Sequence, residues 1–158
     1  MRTSYIIALG SNRRHPRHGA PARVLAAAMT KLDPVACSRI IASRPIGPSQ
    51  RAYANAVILI ESDLTPPALL QHLKGIESDF GRRTGGQRWG ARVLDLDIIL
   101  WSGGVWADKV LTIPHPAYRQ RRFVLGPLCE IAARWRDPLT HFSLPQQKAR
   151  LDRKRAHV

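Results

Sequence analysis

The stretch that most constrains the fold is residues 53–61, YANAVILIE. Side chains alternate faces along a strand, so Tyr53, Asn55, Val57 and Leu59 share one face and Ala54, Ala56, Ile58 and Ile60 the other. Continuous hydrophobicity means that this strand is buried on both sides. A buried asparagine must find partners or cost roughly 1–3 kcal/mol. Asn55 therefore either caps a neighbouring backbone group or reads the edge of a flat heterocycle stacked on Tyr53, two residues earlier on the same face.

Shorter elements surround this strand. Tyr5–Leu9 is an apolar run of strand length, ended by the turn residues Gly10, Ser11 and Asn12, and Arg13–Gly19 is a basic loop. Pro21 opens a helix with Val24, Leu25, Ala28 and Leu32 at helical spacing, and Pro34 stops it. Cys37–Ser43 reads as one strand centred on Ile40 and Ile41, followed by the proline-stiffened loop Arg44-Pro45-Ile46-Gly47-Pro48. Thr65-Pro66 starts a second helix whose stripe is Leu69, Leu73, Ile76 and Phe80; Glu77 falls one residue off it, on the surface. Val105–Ile113 holds one or two short strands and Leu125–Ala133 a short helix. Beyond Asp137-Pro138 periodicity fades, and Pro145 interrupts what remains. Strands and helices are mixed rather than strictly alternating, which predicts an α+β fold. A chain of 158 residues is normally one domain: here residues 1–137, with 138–158 as a basic extension that frays at its end.

The chemistry concentrates in Arg82–Trp101, RRTGGQRWGARVLDLDIILW. Asp95 and Asp97 at i, i+2 point the same way on a strand, with Leu94, Leu96, Ile98 and Leu100 on the opposite face. Two adjacent carboxylates repel unless a cation lies between them, and oxygen ligands beside arginines suit Mg²⁺ shared with a polyphosphate. Arg82, Arg83, Arg88 and Arg92, set among Gly81, Gly85, Gly86 and Gly90, form a loop able to close over phosphates. The combination reads as a magnesium-dependent enzyme acting on a nucleoside triphosphate. The pattern G-x-x-x-x-G-K-[ST] is absent, which removes the commonest ATPase architecture. Pro114 and Pro116 brace His115 beside Arg119, Arg121 and Arg122, where it can touch a phosphate.

An apolar fraction of 44% and a charged fraction of 23% are those of a soluble globular protein. No apolar run reaches membrane-spanning length and Tyr5–Gly10 is too short for a secretory signal, so a cytoplasmic location is expected. Cys37 and Cys129 have no metal-like spacing and read as buried free thiols. The net charge of +14 fits a nucleic-acid or anionic surface, a small acidic substrate, or general arginine use. Lys148–Arg155, KARLDRKR, reads as a solvated terminus.

Four motifs in order now carry a resemblance: YIIALGSN (5–12), Gly47-Pro48 followed by YANAV, RWGARVLDLDIIL (88–100) and IPHPAYRQRRFVLGPL (113–128). The third closely resembles the RWGPRxLDLDIL signature of the 6-hydroxymethyl-7,8-dihydropterin pyrophosphokinase family, and the set spans most of residues 5–133. The resemblance implies a ferredoxin-like βαββαβ core with added strands and helices. It also implies transfer of pyrophosphate from ATP to the hydroxymethyl group of 6-hydroxymethyl-7,8-dihydropterin, releasing AMP. Asp95 and Asp97 would hold two Mg²⁺ ions, and Arg82 and Arg92 would close over the phosphates. ATP contacts would fall to Arg82, Arg88, Trp89, Arg92, Ile98, His115 and Arg121; the pterin would meet Ile46, Tyr53 and Asn55, with Phe123 on its other face. A glutamate often stands in the family at the position of Glu77. No general base is evident. Partners would be the two small substrates, with no membrane, nucleic-acid binding at most weak and nonspecific, and a monomeric chain. Ala91 stands where the family signature has Pro, Val93 where Thr is common, and Thr84 where a second loop arginine often stands, with Arg83 next door. The basic tail after Asp137 lies outside the pattern. A rival reading, a basic nucleic-acid-binding module, explains the charge but not the aspartate pair.

Overall fold

The computed structural model describes residues 1–43, 53–81 and 93–156. In chain order the elements are β1 (Thr3–Ser11), α1 (Pro21–Leu32), β2 (Ala36–Cys37), β3 (Ile41–Ser43), β4 (Tyr53–Ser62), α2 (Pro66–Gly81), β5 (Asp95–Trp101), β6 (Trp106–Ala107), β7 (Thr112–Ile113), a 3-10 turn (Tyr118–Gln120), α3 (Arg122–Ile131) and α4 (Leu144–Ala156). The main sheet runs β2-β4-β1-β5, with β3 beside β2 on the same edge of β4, and every pairing is antiparallel. β4 is thus interior to the sheet, which is why both of its faces are apolar. β6 and β7 form a separate hairpin, held by Asp108, whose carboxylate accepts the Val110 and Leu111 amides.

Each face of the sheet has its own core. Tyr5, Ile7 and Leu9 of β1 pack with Val24, Leu25, Ala28 and Leu32 of α1 and Leu69, Leu73, Ile76 and Phe80 of α2, the two stripes that helical spacing predicts. On the other face Ile6, Val57, Ile99 and Leu100 pack under Tyr118, Val124, Leu125 and Leu128. The basic loop folds back on itself between His15 and Gly19, and the rings of His15 and His18 lie on Phe80 at the end of α2. No helix among the described residues is long and apolar enough to cross a membrane.

Several expectations need correction. Cys37–Ser43 is two strands rather than one: the Ser38 hydroxyl accepts the Val57 N–H at 2.9 Å, and the register moves from Cys37↔Ile58 to Ile41↔Asn55, one residue longer on this side. A hydroxyl replacing a ladder carbonyl, with one extra residue, is a bulge. Leu100 does not share a face with Leu96 and Ile98. The β1–β5 register shifts between Ile6 and Ile7, leaving Ile99 without an opposite residue, so Leu100 rotates onto the α3 face. The terminal segment is helical: α4 buries Leu144 and Leu151 against the α3 core. Pro145 sits in its first turn, where a missing N–H costs nothing. Cys37 is exposed and Cys129 half-buried, so neither is a fully buried thiol.

Candidate active site

The α3 face of the sheet is not fully packed at the end where β1 finishes. Gly10 pairs with Asn55 of β4 on one side and with Asp95 of β5 on the other, and Ala8 pairs with Asp97. Two small residues on the middle strand leave a trough. Strand spacing separates the backbones of β4 and β5 by roughly 10 Å at this level. The trough is a cavity of about 240 Å³ whose floor includes Ala8, Gly10, Tyr53, Asn55, Asp95, Asp97 and Ile99. Arg121, Phe123 and Val124, from the start of α3, also line it. It is apolar and aromatic at the β4 end and acidic at the β5 end.

At the β4 end Asn55 is 5% exposed and its Nδ2 donates to the Ser43 Oγ at 2.7 Å. Ser43 takes one amide proton and so sets the orientation of the amide; Asn55 Oδ1 lies toward Gly10, 3.6 Å from where a Cβ on Gly10 would stand. Asn55 thus has a side-chain partner, yet still lines the cavity. Phe123 faces the cavity from the first turn of α3, and the Arg121 guanidinium lies 5.8 Å from the centre of its ring.

At the β5 end the alternation of the strand puts Asp95 and Asp97 on the cavity side, both half-buried. Glu77 of α2, placed by the sequence on the surface, instead accepts the Leu96 N–H with its Oε1 at 2.8 Å. That amide lies between the two aspartates, so α2 fixes the backbone that carries them. The bulge at Ile99 has a second use: its carbonyl accepts the His115 N–H at 3.0 Å. The His115 Nδ1 accepts the Ala117 N–H at 3.1 Å, so the neutral imidazole carries its proton on Nε2 and can donate from there. Burial pushes the pKa of His115 below the ordinary value, against the pull of Asp97 and with the push of Arg121. The three groups therefore form one electrostatic cluster.

Of the residues expected from sequence, the structure brings Tyr53, Asn55, Asp95, Asp97, Arg121 and Phe123 to one cavity and sets His115 within electrostatic reach of it. Ile98 turns its side chain into the α1/α2 core, and Ile99 lines the cavity instead. Ile46, Arg82, Arg88, Trp89 and Arg92 lie outside the described residues. Sequence reasoning missed Ser43, and it noted Glu77 without giving it a role. A hydroxyl at the last residue of a strand, just before the proline-stiffened loop, was the available signal for Ser43. A carboxylate one position off an apolar helix stripe was the signal for Glu77.

The family described as 7,8-dihydro-6-hydroxymethylpterin-pyrophosphokinase (HPPK) matches residues 6–133. A 2-amino-4-hydroxy-6-hydroxymethyldihydropteridine pyrophosphokinase of Haemophilus influenzae is 43% identical over 137 residues, covering 84% of this chain and 83% of that one. A Synechocystis protein of the same name is 46% identical over 102 residues, 65% of this chain and 52% of that one. In fold, the chain is similar to an HPPK-DHPS crystallised with substrates, with a TM-score of 0.76 over 97% of this chain and 45% of the other, at 11% identity. A Plasmodium falciparum HPPK-DHPS with pteroate gives a TM-score of 0.70 over 95% of this chain and 42% of that one, at 10% identity. The chain thus spans about half of the Synechocystis relative and less than half of those two structures. With the family match running through β1, β4, β5 and the start of α3, the strands and helix that build the cavity, the chain belongs to the 7,8-dihydro-6-hydroxymethylpterin-pyrophosphokinase family.

Proposed function

We propose that this chain transfers the β,γ-pyrophosphoryl group of ATP to the hydroxymethyl group of 6-hydroxymethyl-7,8-dihydropterin in a Mg²⁺-dependent reaction of folate biosynthesis, releasing AMP. The observation that carries this reading is the single trough joining an aromatic, amide-lined end to a paired-carboxylate end. A flat heterocycle fits between Tyr53 and Phe123, its polar edge toward Asn55. Because Ser43 occupies one Asn55 amide proton, Oδ1 is left to accept from the amino or ring N–H of the pterin. The distance from β4 to β5 is the length a hydroxymethyl group and an attached phosphate must cross.

Two carboxylates, with no cluster of three or more potential ligands among the described residues, suit Mg²⁺, which binds through one or two carboxylates plus substrate phosphates. Asp95 and Asp97 would hold two such ions. Bound there, the metal would neutralise charge developing on the phosphoryl oxygens. The remaining work is alignment, because the substrate hydroxyl attacks phosphorus directly and no covalent enzyme intermediate is needed. His115 donates from Nε2 and Arg121 supplies a fork of donors to the phosphates. Arg82 and Arg92 would supply further donors to the phosphates, Arg88 and Trp89 would meet the nucleotide, and Ile46 would meet the pterin. Ile98 shares the strand parity of Leu96, whose N–H turns outward to Glu77, so its backbone is the part available to a nucleotide at the sheet edge.

The ferredoxin-like reading of the fold is supported by the antiparallel order β5-β1-β4 with β2 and β3 on the far edge. The chain works as a cytoplasmic monomer on these small substrates, and its nucleic-acid binding is weak and nonspecific. The test is AMP formation from ATP in Mg²⁺, with and without the pterin alcohol. Pterin-dependent AMP release is expected; ATP left intact in the presence of pterin overturns the reading.

A further inference from the structure

Asp137 lies beyond the stretch that matches the family, which ends at residue 133, and it does not line the cavity. Yet it is 0% exposed and every polar atom of its side chain is used. Its Oδ2 accepts from the Tyr118 hydroxyl and from the Arg119 Nε at 2.6 Å, and its Oδ1 accepts the amides of Leu139 at 2.8 Å and Thr140 at 3.1 Å. Its own N–H and carbonyl bond to Phe142 and His141, each at 2.9 Å. Burial alone would raise its pKa; the hydrogen bonds from Arg119, Tyr118 and the two amides outweigh it and hold the carboxyl at about 2. It is an ionised, fixed anchor.

What it anchors is Tyr118, which is 0% exposed. The Tyr118 N–H donates to the His115 carbonyl at 3.3 Å, and the Tyr118 carbonyl accepts the Arg121 N–H at 3.2 Å. Tyr118 therefore sits midway between the two residues proposed to meet the triphosphate: its backbone bonds to the backbone of both, and its buried side chain is tied to Asp137. On the far side of Arg121, Arg122 is drawn away by Asp152 of α4 at 2.6 Å, so that of the two adjacent arginines it is Arg121 that lines the cavity. Stability alone does not account for such a network: buried ion pairs are often replaceable by apolar groups without loss, and in some proteins they are kept for the single geometry that they impose. We propose that Asp137 is a positioning residue, which acts through Tyr118 to hold His115 and Arg121 in the geometry that binds ATP. The C-terminal segment is then part of the catalytic apparatus rather than a solvated extension. The inference rests on the pyrophosphokinase reading.

The test compares Tyr118→Phe and Asp137→Asn with the wild type at a temperature well below all three melting transitions. Tyr118→Phe keeps the buried ring and removes only the anchoring bond; Asp137→Asn keeps an acceptor for the Leu139 and Thr140 amides. Both are expected to raise KM for ATP about tenfold, since small misplacements of substrate-holding groups are costly. KM for the pterin alcohol should change less than about twofold, because Tyr53 and Asn55 come from β4. Calorimetric titration with ATP and Mg²⁺ should show the same weakening directly. Lower melting temperatures with unchanged ATP affinity and KM would overturn the proposal and leave the network purely structural. If the wild type binds ATP but makes no AMP with pterin, the pyrophosphokinase reading fails instead, and the calorimetric comparison still decides the role of Asp137.

Discussion

Ser43→Ala tests the pterin end of the site with a single atom. The wild-type bond from Asn55 Nδ2 to Ser43 Oγ is 2.7 Å long, and Asn55 is 5% exposed. Deleting the hydroxyl leaves a buried amide donor without its acceptor, at a cost of roughly 1–3 kcal/mol. For a chain of this size 1 kcal/mol moves the melting temperature by about 2–4 °C, so a fall of roughly 2–12 °C is expected. The more informative consequence is for binding. Without Ser43 the amide can turn over and present Nδ2 to the cavity, where a pterin offers a donor rather than an acceptor. The correct orientation must then be recovered on binding, and a penalty near 1.4 kcal/mol corresponds to about tenfold in Kd. Isothermal titration with the pterin alcohol measures this, with ATP titration as control, since Asp95, Asp97 and His115 are untouched. Ser43→Thr, which keeps a hydroxyl, should restore affinity. Pterin binding as tight as wild type in Ser43→Ala, with only the melting temperature lowered, would refute the assignment of Asn55 as reader of the pterin edge.

Asp97→Asn should lower turnover at least ~100-fold in saturating Mg²⁺ with the circular dichroism spectrum unchanged, because metal stabilisation is worth several kcal/mol; near wild-type turnover would remove the metal role. Asp137 also predicts an acid dependence. Its folded pKa of about 2 lies below the ordinary 3.8, so its contribution is fully present above pH 4 and is lost as pH falls toward 2. That amounts to about 2 kcal/mol; melting curves of Asp137→Asn should therefore lose less stability than wild type between pH 4 and 2, and parallel losses would contradict the argument. Truncation after Gln147 looks harmless from sequence but removes Leu151, 9% exposed, and the partner of Arg122. Removing a buried leucine typically costs 2–5 kcal/mol, so the truncated chain should melt well below the full one; an unchanged melting temperature would mean that α4 contributes nothing to the core.

Residue order alone was enough for elements whose signal is local. The stripes of α1 and α2 recur at helical spacing, the alternation of β4 sorts Tyr53 and Asn55 onto one face, and Asp95 and Asp97 at i, i+2 share a side on any strand. These follow from backbone periods of 3.6 and 2.0 residues and need no knowledge of neighbours. The family resemblance, too, was carried by ordered motifs, although its loop residues from Arg82 to Arg92 lie outside the described structure. What needed the tertiary structure is everything decided by pairing between distant segments. The bulge that swings Leu100 across the sheet and frees the Ile99 carbonyl for His115 arises from the register of β5 on β1, some 90 residues earlier, and no pattern within β5 encodes it. Glu77 becomes a backbone anchor only because α2 packs beside β5, and Ser43 matters only because the β3–β4 register sets it opposite Tyr53, diagonal to Asn55 and within hydrogen-bond reach of its amide. The α4 segment was illegible for the same reason: two leucines among many charges make too weak a stripe to read, yet α3 provides the apolar surface that they bury against. Local periodicity determines which face a side chain takes; what it meets there is determined by register, and register is a property of the assembled sheet.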